Sequence, residues 1–267
     1  MSDVYALNNL HNALKPLKSD PGNTGVFSDL DGTLSKIART PADAAITPSM
    51  RDVLRRLTEK YGIFGIVSGR DSSEAKKIID IDNVAYIGNH GLEWIENGKQ
   101  FYTPEASNFF GLAASLEADL IELFKKTDVF IEKKKLGVAL HYRSAKDKEG
   151  ARGLIEKMIK PIVAEYPLRR LDGRYVIELK PDLPINKGDA ITVIAMSRGL
   201  NNAVYLGDDI TDIDAFNALR TLRDESNLRT ISVGVASDES PPQVEEEADY
   251  VIKSVDEVEA LLSWMVE

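Results

Sequence analysis

Short, wholly apolar runs alternate with segments of helical periodicity through the first third of the chain. Residues 24–28, 63–67 (IFGIV) and 84–88 (VAYIG) read as buried strands. Between the first two, Thr47-Pro48 has the form of an N-cap followed by proline at the first helical position. Val53, Leu54 and Leu57 then share one face of the helix it opens, and Gly62 stops it. Apolar strands separated by helices predict a parallel sheet covered on both faces.

The pattern changes after Gly91. WIENGKQFY alternates around Asn97-Gly98, a strong hairpin signal. A helix follows, carrying Leu112, Leu116, Leu120, Leu123 and Phe124, and then two alternating strands, VFIEKK and VALHYR. A further helix over 148–165 leads to PLRRLDGRYVIELK, a hairpin turning at Asp172-Gly173. Hairpins pair antiparallel, so residues 92–181 are expected to form an α+β unit of their own.

From Asn186 the first pattern returns. A helix over 188–198, the strand AVYL, a helix from Asp212, the strands ISVGV and DYVI, and a helix capped by Ser254 with Glu257 complete it. The expected fold is α/β: a doubly wound, Rossmann-like parallel-sheet core of residues 1–91 and 182–267, with an inserted α+β cap domain at 92–181. A ligand then belongs at the carboxyl ends of the parallel strands.

Four short stretches fall on that rim. Asp29-Leu-Asp31-Gly-Thr33 and Ser68-Gly69-Arg70 each follow an apolar strand. Lys187 opens a helix in INKGDA, and Gly207-Asp208-Asp209-Ile-Thr-Asp212 follows AVYL. So many carboxylates close together repel one another, and a hard divalent cation relieves the repulsion. An oxygen-only set without nearby His or Cys suits Mg²⁺, which keeps waters and shares its shell with phosphate. Ser68, Lys187 and helix-end amides supply donors for the anion. One aspartate of the Asp29/Asp31 pair can attack phosphorus, and the other can move the proton of the leaving alcohol.

Composition narrows the partners. The 267 residues carry a formal net charge of −10, which speaks against a nucleic-acid partner; Lys133-Lys134-Lys135 is the one basic cluster. The absence of cysteine excludes disulfides, Cys-ligated zinc, iron–sulfur clusters and thiol catalysis. No apolar run is long enough to span a bilayer, and the first residues lack the basic and apolar regions of a secretory leader. A cytoplasmic enzyme without a membrane partner, and a monomer, is the expectation.

The four stretches, in this order and with the cap between the second and third, resemble the motifs of the haloacid-dehalogenase (HAD) superfamily with a type IIB cap. The resemblance implies Asp29 as nucleophile and Asp31 as general acid/base, assisted by Ser68 and Lys187. It implies Asp29, the Asp31 carbonyl and Asp208 as Mg²⁺ ligands, with Asp212 supporting the metal shell and Asp209 less clearly placed. Within that superfamily TPADAAITP (residues 40–48), IVSGRD, GNHGLEW, IEKKKLGVALHYR and YVIELKP resemble the trehalose-6-phosphate phosphatase family. That likeness implies a phosphoric monoester hydrolase acting on trehalose 6-phosphate through an aspartyl-phosphate. Its substrate would be bound by Thr33, Gly69, Arg70 and His90 in the core and by Glu132, Lys134, His141, Arg143 and Glu178 in the cap. Glu132 and Lys134 are two apart on a strand, as are His141 and Arg143, so each pair shares a face. The core motifs also admit another sugar phosphate (of sucrose, glucosylglycerol or mannosylglycerate), a phosphosugar mutase, or a non-catalytic sugar-phosphate-binding regulator.

Overall fold

The computed structural model describes residues 2–38, 41–173, 175–237 and 240–267. Thr40 and Arg174, which fall within two of the stretches quoted above, lie outside them. The chain divides into two compact units, one of residues 1–101 and 185–267 and the other of residues 102–184.

The first unit is built on strands β1 (Thr24–Ser28), β2 (Ile63–Val67), β3 (Ala85–Gly88), β4 (Glu93–Glu96) and β5 (Lys99–Tyr102). The chain returns to it after the second unit with β10 (Asn202–Gly207), β11 (Arg229–Val235) and β12 (Tyr250–Ile252). They form one eight-stranded sheet in the order β12-β11-β10-β1-β2-β3-β4-β5. All pairings from β12 to β3 are parallel, and β3–β4 is antiparallel. Side chains alternate across a strand, and both faces here are apolar, which is why the strands read as unbroken hydrophobic runs. Val26, Phe64, Val204 and Leu206 pack on one face with α1 (Ser2–Ser19), α2 (Pro48–Lys60), α3 (Ser72–Ile79) and α10 (Val255–Val266). Phe27, Val67, Ala203 and Tyr205 pack on the other with α7 (Lys187–Ser197), α8 (Ile210–Ser226) and α9 (Pro242–Glu247).

Two features depart from the expectation. Helix α1 buries Leu10, Leu14 and Leu17 in the core, whereas the sequence pattern placed no element there. The hairpin turning at Asn97-Gly98 extends the large sheet instead of beginning the inserted unit, because Ile95 stands opposite Tyr86 and Trp94 opposite Ile87. Ile95 enters the same buried cluster as Tyr86. The turn itself has left-handed backbone at both Asn97 (φ 50°) and Gly98 (φ 74°), as its sequence demands.

The second unit carries β6 (Phe130–Lys134), β7 (Gly137–His141), β8 (Leu168–Gly173) and β9 (Val176–Pro181), antiparallel in the order β6-β7-β9-β8. Its helices are α4 (Pro104–Ser107), α5 (Phe109–Phe124) and α6 (Lys148–Glu165). Ile131, Val138, Leu140, Ile177 and Leu179 are buried, as are Leu116, Leu120 and Phe124 of α5 and Ile155 and Ile159 of α6. The register puts Glu132 opposite Ala139 and Ala139 opposite Glu178, so the two glutamates share the other, polar face.

Leu54 is wholly buried on α2. Leu54→Ala should cost about 2–5 kcal/mol, since its cavity can collapse only in part. Urea unfolding measures this; a loss below about 1 kcal/mol would contradict the packing described.

Candidate active site

Parallel pairing of β1 with β10 brings two aspartates together. Ser28 stands opposite Leu206, and the Asp29 N–H donates to the Leu206 carbonyl at 2.8 Å. Asp29 thus leaves the sheet beside Asp208, and both are 5% exposed.

Helix capping brings the other two charges. Asn186 caps α7 by accepting from the Gly188 and Asp189 N–H groups, while the Asp189 carboxylate accepts from the Asn186 N–H, which fixes Lys187 in the first turn. In α8, Asp212 reaches back so that its Oδ2 accepts from the N–H groups of Asp208 and Asp209, each at 2.9 Å. Lys187 Nζ donates to Asp29 Oδ1 at 2.9 Å and to Asp212 Oδ1 at 2.7 Å. The Tyr205 hydroxyl donates to the same Asp212 oxygen at 2.5 Å, and the Thr33 hydroxyl to Asp208 Oδ1 at 2.9 Å.

The pocket therefore holds three buried carboxylates against one buried ammonium. Burial pulls the Lys187 ammonium down, but the charges of Asp212 and Asp29 outweigh it and hold the group above its ordinary value. Burial, then the Asp212 charge, pushes Asp208 up to about 7, with Thr33 and Lys187 pulling the other way. Oxygens of Asp29, Asp208 and Asp212 all lie within 4.8 Å of one another. The donor set is all oxygen, so it fits a hard divalent cation. Both Asp212 oxygens are already engaged by Lys187, Tyr205 and two main-chain N–H groups, so Asp29 and Asp208 are the residues best able to hold an ion and Asp212 buttresses them. Gly32 lies against the Asp208 carboxylate. Its backbone is left-handed (φ 85°), and a Cβ there would collide with Asp208.

Asp31 is placed differently. Its carboxylate lies outside the buried trio and is held by Arg70 in a fork, Nε to Oδ2 at 2.5 Å and Nη2 to Oδ1 at 2.8 Å. Arg70, expected to bind substrate, contacts the expected acid/base group. Ser68 is buried and its Oγ accepts from the Arg70 N–H at 3.2 Å. Gly69 lies under the His90 ring, where a Cβ would come within 2.8 Å of Cε1 and Nε2. Thr33, also expected on substrate, donates to Asp208. Asp209 is exposed at the start of α8, outside the trio.

In the second unit Glu132 accepts from His141 Nε2 at 2.8 Å and pairs with Lys134 at 3.1 Å. Burial would raise the Glu132 carboxyl, but these two partners bring it below its ordinary value. Glu178 pairs with Lys180 at 3.4 Å. Arg143 departs from the expectation: β7 ends at His141, so Arg143 is exposed in the following turn and does not share a strand face with it. Tyr205 and Lys180 were not singled out by the sequence. A tyrosine inside a wholly buried strand needs a partner for its hydroxyl, and that signal points to Tyr205.

An aspartate-lined rim on a parallel sheet of this topology defines the class. A haloacid dehalogenase-like hydrolase from Bacteroides thetaiotaomicron superposes with a TM-score of 0.58 at 15% identity, over 91% of this chain and 99% of its own. The C-terminal domain of C. albicans trehalose-6-phosphate phosphatase does so with a TM-score of 0.69 at 22% identity, over 95% of each. These likenesses establish a HAD-type fold, a Rossmann-like core with an inserted unit. The sequence model of the trehalose-phosphatase family matches residues 27–256, and the chain belongs to that family. Probable trehalose-phosphate phosphatase D of Arabidopsis thaliana is 30% identical over 211 residues, 73% of this chain and 56% of that protein. The trehalose-phosphate phosphatase of Mycobacterium avium (strain 104) is 36% identical over 203 residues, 73% of this chain and 51% of that protein. The chain thus spans about half the length of the curated relatives it matches. Among the described residues no helix is long and apolar enough to cross a membrane.

The raised Asp208 carboxyl sets a pH dependence. Its folded value lies above the ordinary 3.8, so the stability its proton contributes is fully present below 3.8 and is lost as pH rises through about 7. A cation held by Asp29 and Asp208 would replace that proton at higher pH. Mg²⁺ at a hundredfold its dissociation constant should add about 2.7 kcal/mol to unfolding, with a larger rise in melting temperature at pH 7.5 than at pH 5.5. Asp208→Asn should abolish most of the rise. An equal Mg²⁺ effect in the variant, read by differential scanning calorimetry, would contradict the site.

Proposed function

We propose that the chain hydrolyses trehalose 6-phosphate to trehalose and phosphate through an aspartyl-phosphate, with Mg²⁺ as cofactor. The observation that carries the reading is the buried Asp29, held 2.9 Å from Lys187 beside Asp208, in a chain of the trehalose-phosphatase family. Asp29 is the nucleophile. One oxygen is oriented by Lys187, and the other attacks phosphorus as the bond from phosphorus to the sugar oxygen breaks. Asp31 gives its proton to the leaving sugar oxygen. It then takes one from the water that attacks the phosphoryl group on Asp29, which returns the carboxylate and releases phosphate. Lys187 and Ser68 stabilise charge on the phosphoryl oxygens.

Mg²⁺, held by Asp29 and Asp208 and by the Asp31 carbonyl, would neutralise charge on the nucleophile and the phosphoryl group. Asp212 acts through others, fixing Lys187 and the 208–209 backbone. Thr33 orients Asp208, while Gly69 forms the middle of the Ser68–Arg70 loop and His90 lies against it. We assign sugar recognition to the polar face of the second unit, the cap domain, through Glu132, Lys134, His141 and Glu178, with Arg143 from the adjoining turn. Several donors and acceptors on one sheet face suit a polyhydroxy ligand, and such a face penalises substrates that leave its groups unpaired. Catalysis by a single cytoplasmic chain without nucleic-acid or membrane partners completes the proposal.

Phosphate release from a panel of sugar phosphates, with Mg²⁺ and then with EDTA, tests it. Trehalose 6-phosphate should exceed glucose 6-phosphate and the sucrose, glucosylglycerol and mannosylglycerate phosphates by at least about tenfold in kcat/KM. Asp29→Asn should lower kcat on the order of 10³-fold or more while leaving the fold intact. Equal rates across the panel would remove the trehalose assignment, and a tenth of wild-type activity in Asp29→Asn would remove the nucleophile.

A further inference from the structure

One buried carboxylate of the first unit has no part in the mechanism above. Glu93, at the start of β4, is 1% exposed and has no cation beside it among the described residues. It is instead surrounded by donors. Its Oε1 accepts from the Ser72 N–H at 2.8 Å and from Asn89 Nδ2 at 3.0 Å, and its Oε2 accepts from Gln100 Nε2 at 3.0 Å. Ser72 opens α3, so the carboxylate sits where that helix offers an unsatisfied N–H and the positive end of its dipole.

Those bonds join two loops. Asn89 Nδ2 also donates to Asp71 Oδ1 at 2.7 Å, and the Asn89 N–H donates to the Arg70 carbonyl at 2.8 Å. Glu93, Asn89, Arg70, Asp71 and Ser72 therefore form one closed cluster. Gly88 lies within it, and a Cβ there would come within 2.8 Å of both the Arg70 carbonyl and Glu93 Oε1. Asn89 and His90 hold left-handed backbone (φ 49° and 59°), a conformation kept only where surroundings over-determine it. Glu93 provides that over-determination.

The far end of the cluster is the Arg70 guanidinium, which grips Asp31 with two bonds. Ser68 keeps anchors of its own: its N–H donates to the Ile87 carbonyl and its carbonyl accepts from the His90 N–H. We propose that Glu93 is a positioning residue for the proton-transfer step, fixing the backbone of residues 70–72 so that Arg70 presents Asp31 to the leaving oxygen. The inference rests on the reading of Asp31 as acid/base. It assigns the acid/base aim to a carboxylate 62 residues along the chain that touches neither Asp31 nor phosphorus.

The test uses leaving groups. In the first half-reaction trehalose leaves phosphorus as a poor alkoxide and needs the proton of Asp31, whereas p-nitrophenyl phosphate releases a stable phenolate and needs it little. Glu93→Ala should lower kcat/KM, which reports the leaving-group half-reaction alone, about a hundredfold on trehalose 6-phosphate and by about threefold or less on p-nitrophenyl phosphate, a misplacement effect. Glu93→Gln should recover most of the loss, since it keeps an acceptor for Ser72 and Asn89 while Gln100 turns its carbonyl to the new amide. In an Arg70→Ala background, Glu93→Ala should add little, because its lever has been removed. If Glu93→Ala does not fold, Glu93→Asp, which withdraws the carboxylate by one methylene, reads the same ratio. Equal losses on both substrates, or full additivity with Arg70→Ala, would overturn the inference while leaving the proposed function standing. A wild-type protein inactive on trehalose 6-phosphate but active on another alkyl phosphate would overturn the substrate assignment instead, and the Glu93 ratio would then be read on that ester.

Discussion

The ammonium of Lys187 is the constraint on which the site depends. It is 2% exposed, and a charge so far from water persists only with close partners. Asp29 and Asp212 are those partners, and each comes from a different element: the end of β1 and the first turn of α8. Satisfying Lys187 thus ties two segments far apart in sequence to the start of α7. Tyr205 then completes Asp212 from within the sheet. What remains is an excess of negative charge at Asp29 and Asp208, which a divalent cation would offset, making room for an anionic phosphate ester.

Every member of this constellation is delivered by an ordinary local device. Strand ends release Asp29 and Asp208 at the same level because β1 and β10 are parallel and in register. Two capping boxes set Lys187 and Asp212. Gly32 supplies the left-handed turn that lets the first loop lie against Asp208. The second unit offers a different material, a half-polar antiparallel sheet whose Glu132, Lys134 and His141 hold one another.

Much of this is legible in the amino-acid pattern alone. Apolar runs, helix caps and turn dipeptides identify the doubly wound core and the α+β insertion, and the aspartate motifs mark the rim. Three features are not legible there. The Asn97-Gly98 turn declares a hairpin but not which sheet it joins, because that depends on Ile95 and Trp94 meeting β3. The Arg70–Asp31 fork joins residues 39 apart, so no local spacing announces it. Arg143 reads as continuing the face of His141, but β7 ends first. The two strand features are decided by where a strand pairs or stops, and the fork by which loops meet; tertiary packing settles all three, not local pattern.

The central claim is covalent: Asp29 carries the phosphoryl group during turnover. Rapid acid quench during hydrolysis of trehalose 6-phosphate, followed by intact and peptide mass spectrometry, reads it directly. The account predicts a transient adduct of one phosphoryl mass on the peptide containing Asp29, accumulating further in Asp31→Asn given p-nitrophenyl phosphate, where formation needs little acid but breakdown lacks its base. Full turnover with no adduct at any quench time in either protein, or an adduct on a residue other than Asp29, would contradict it.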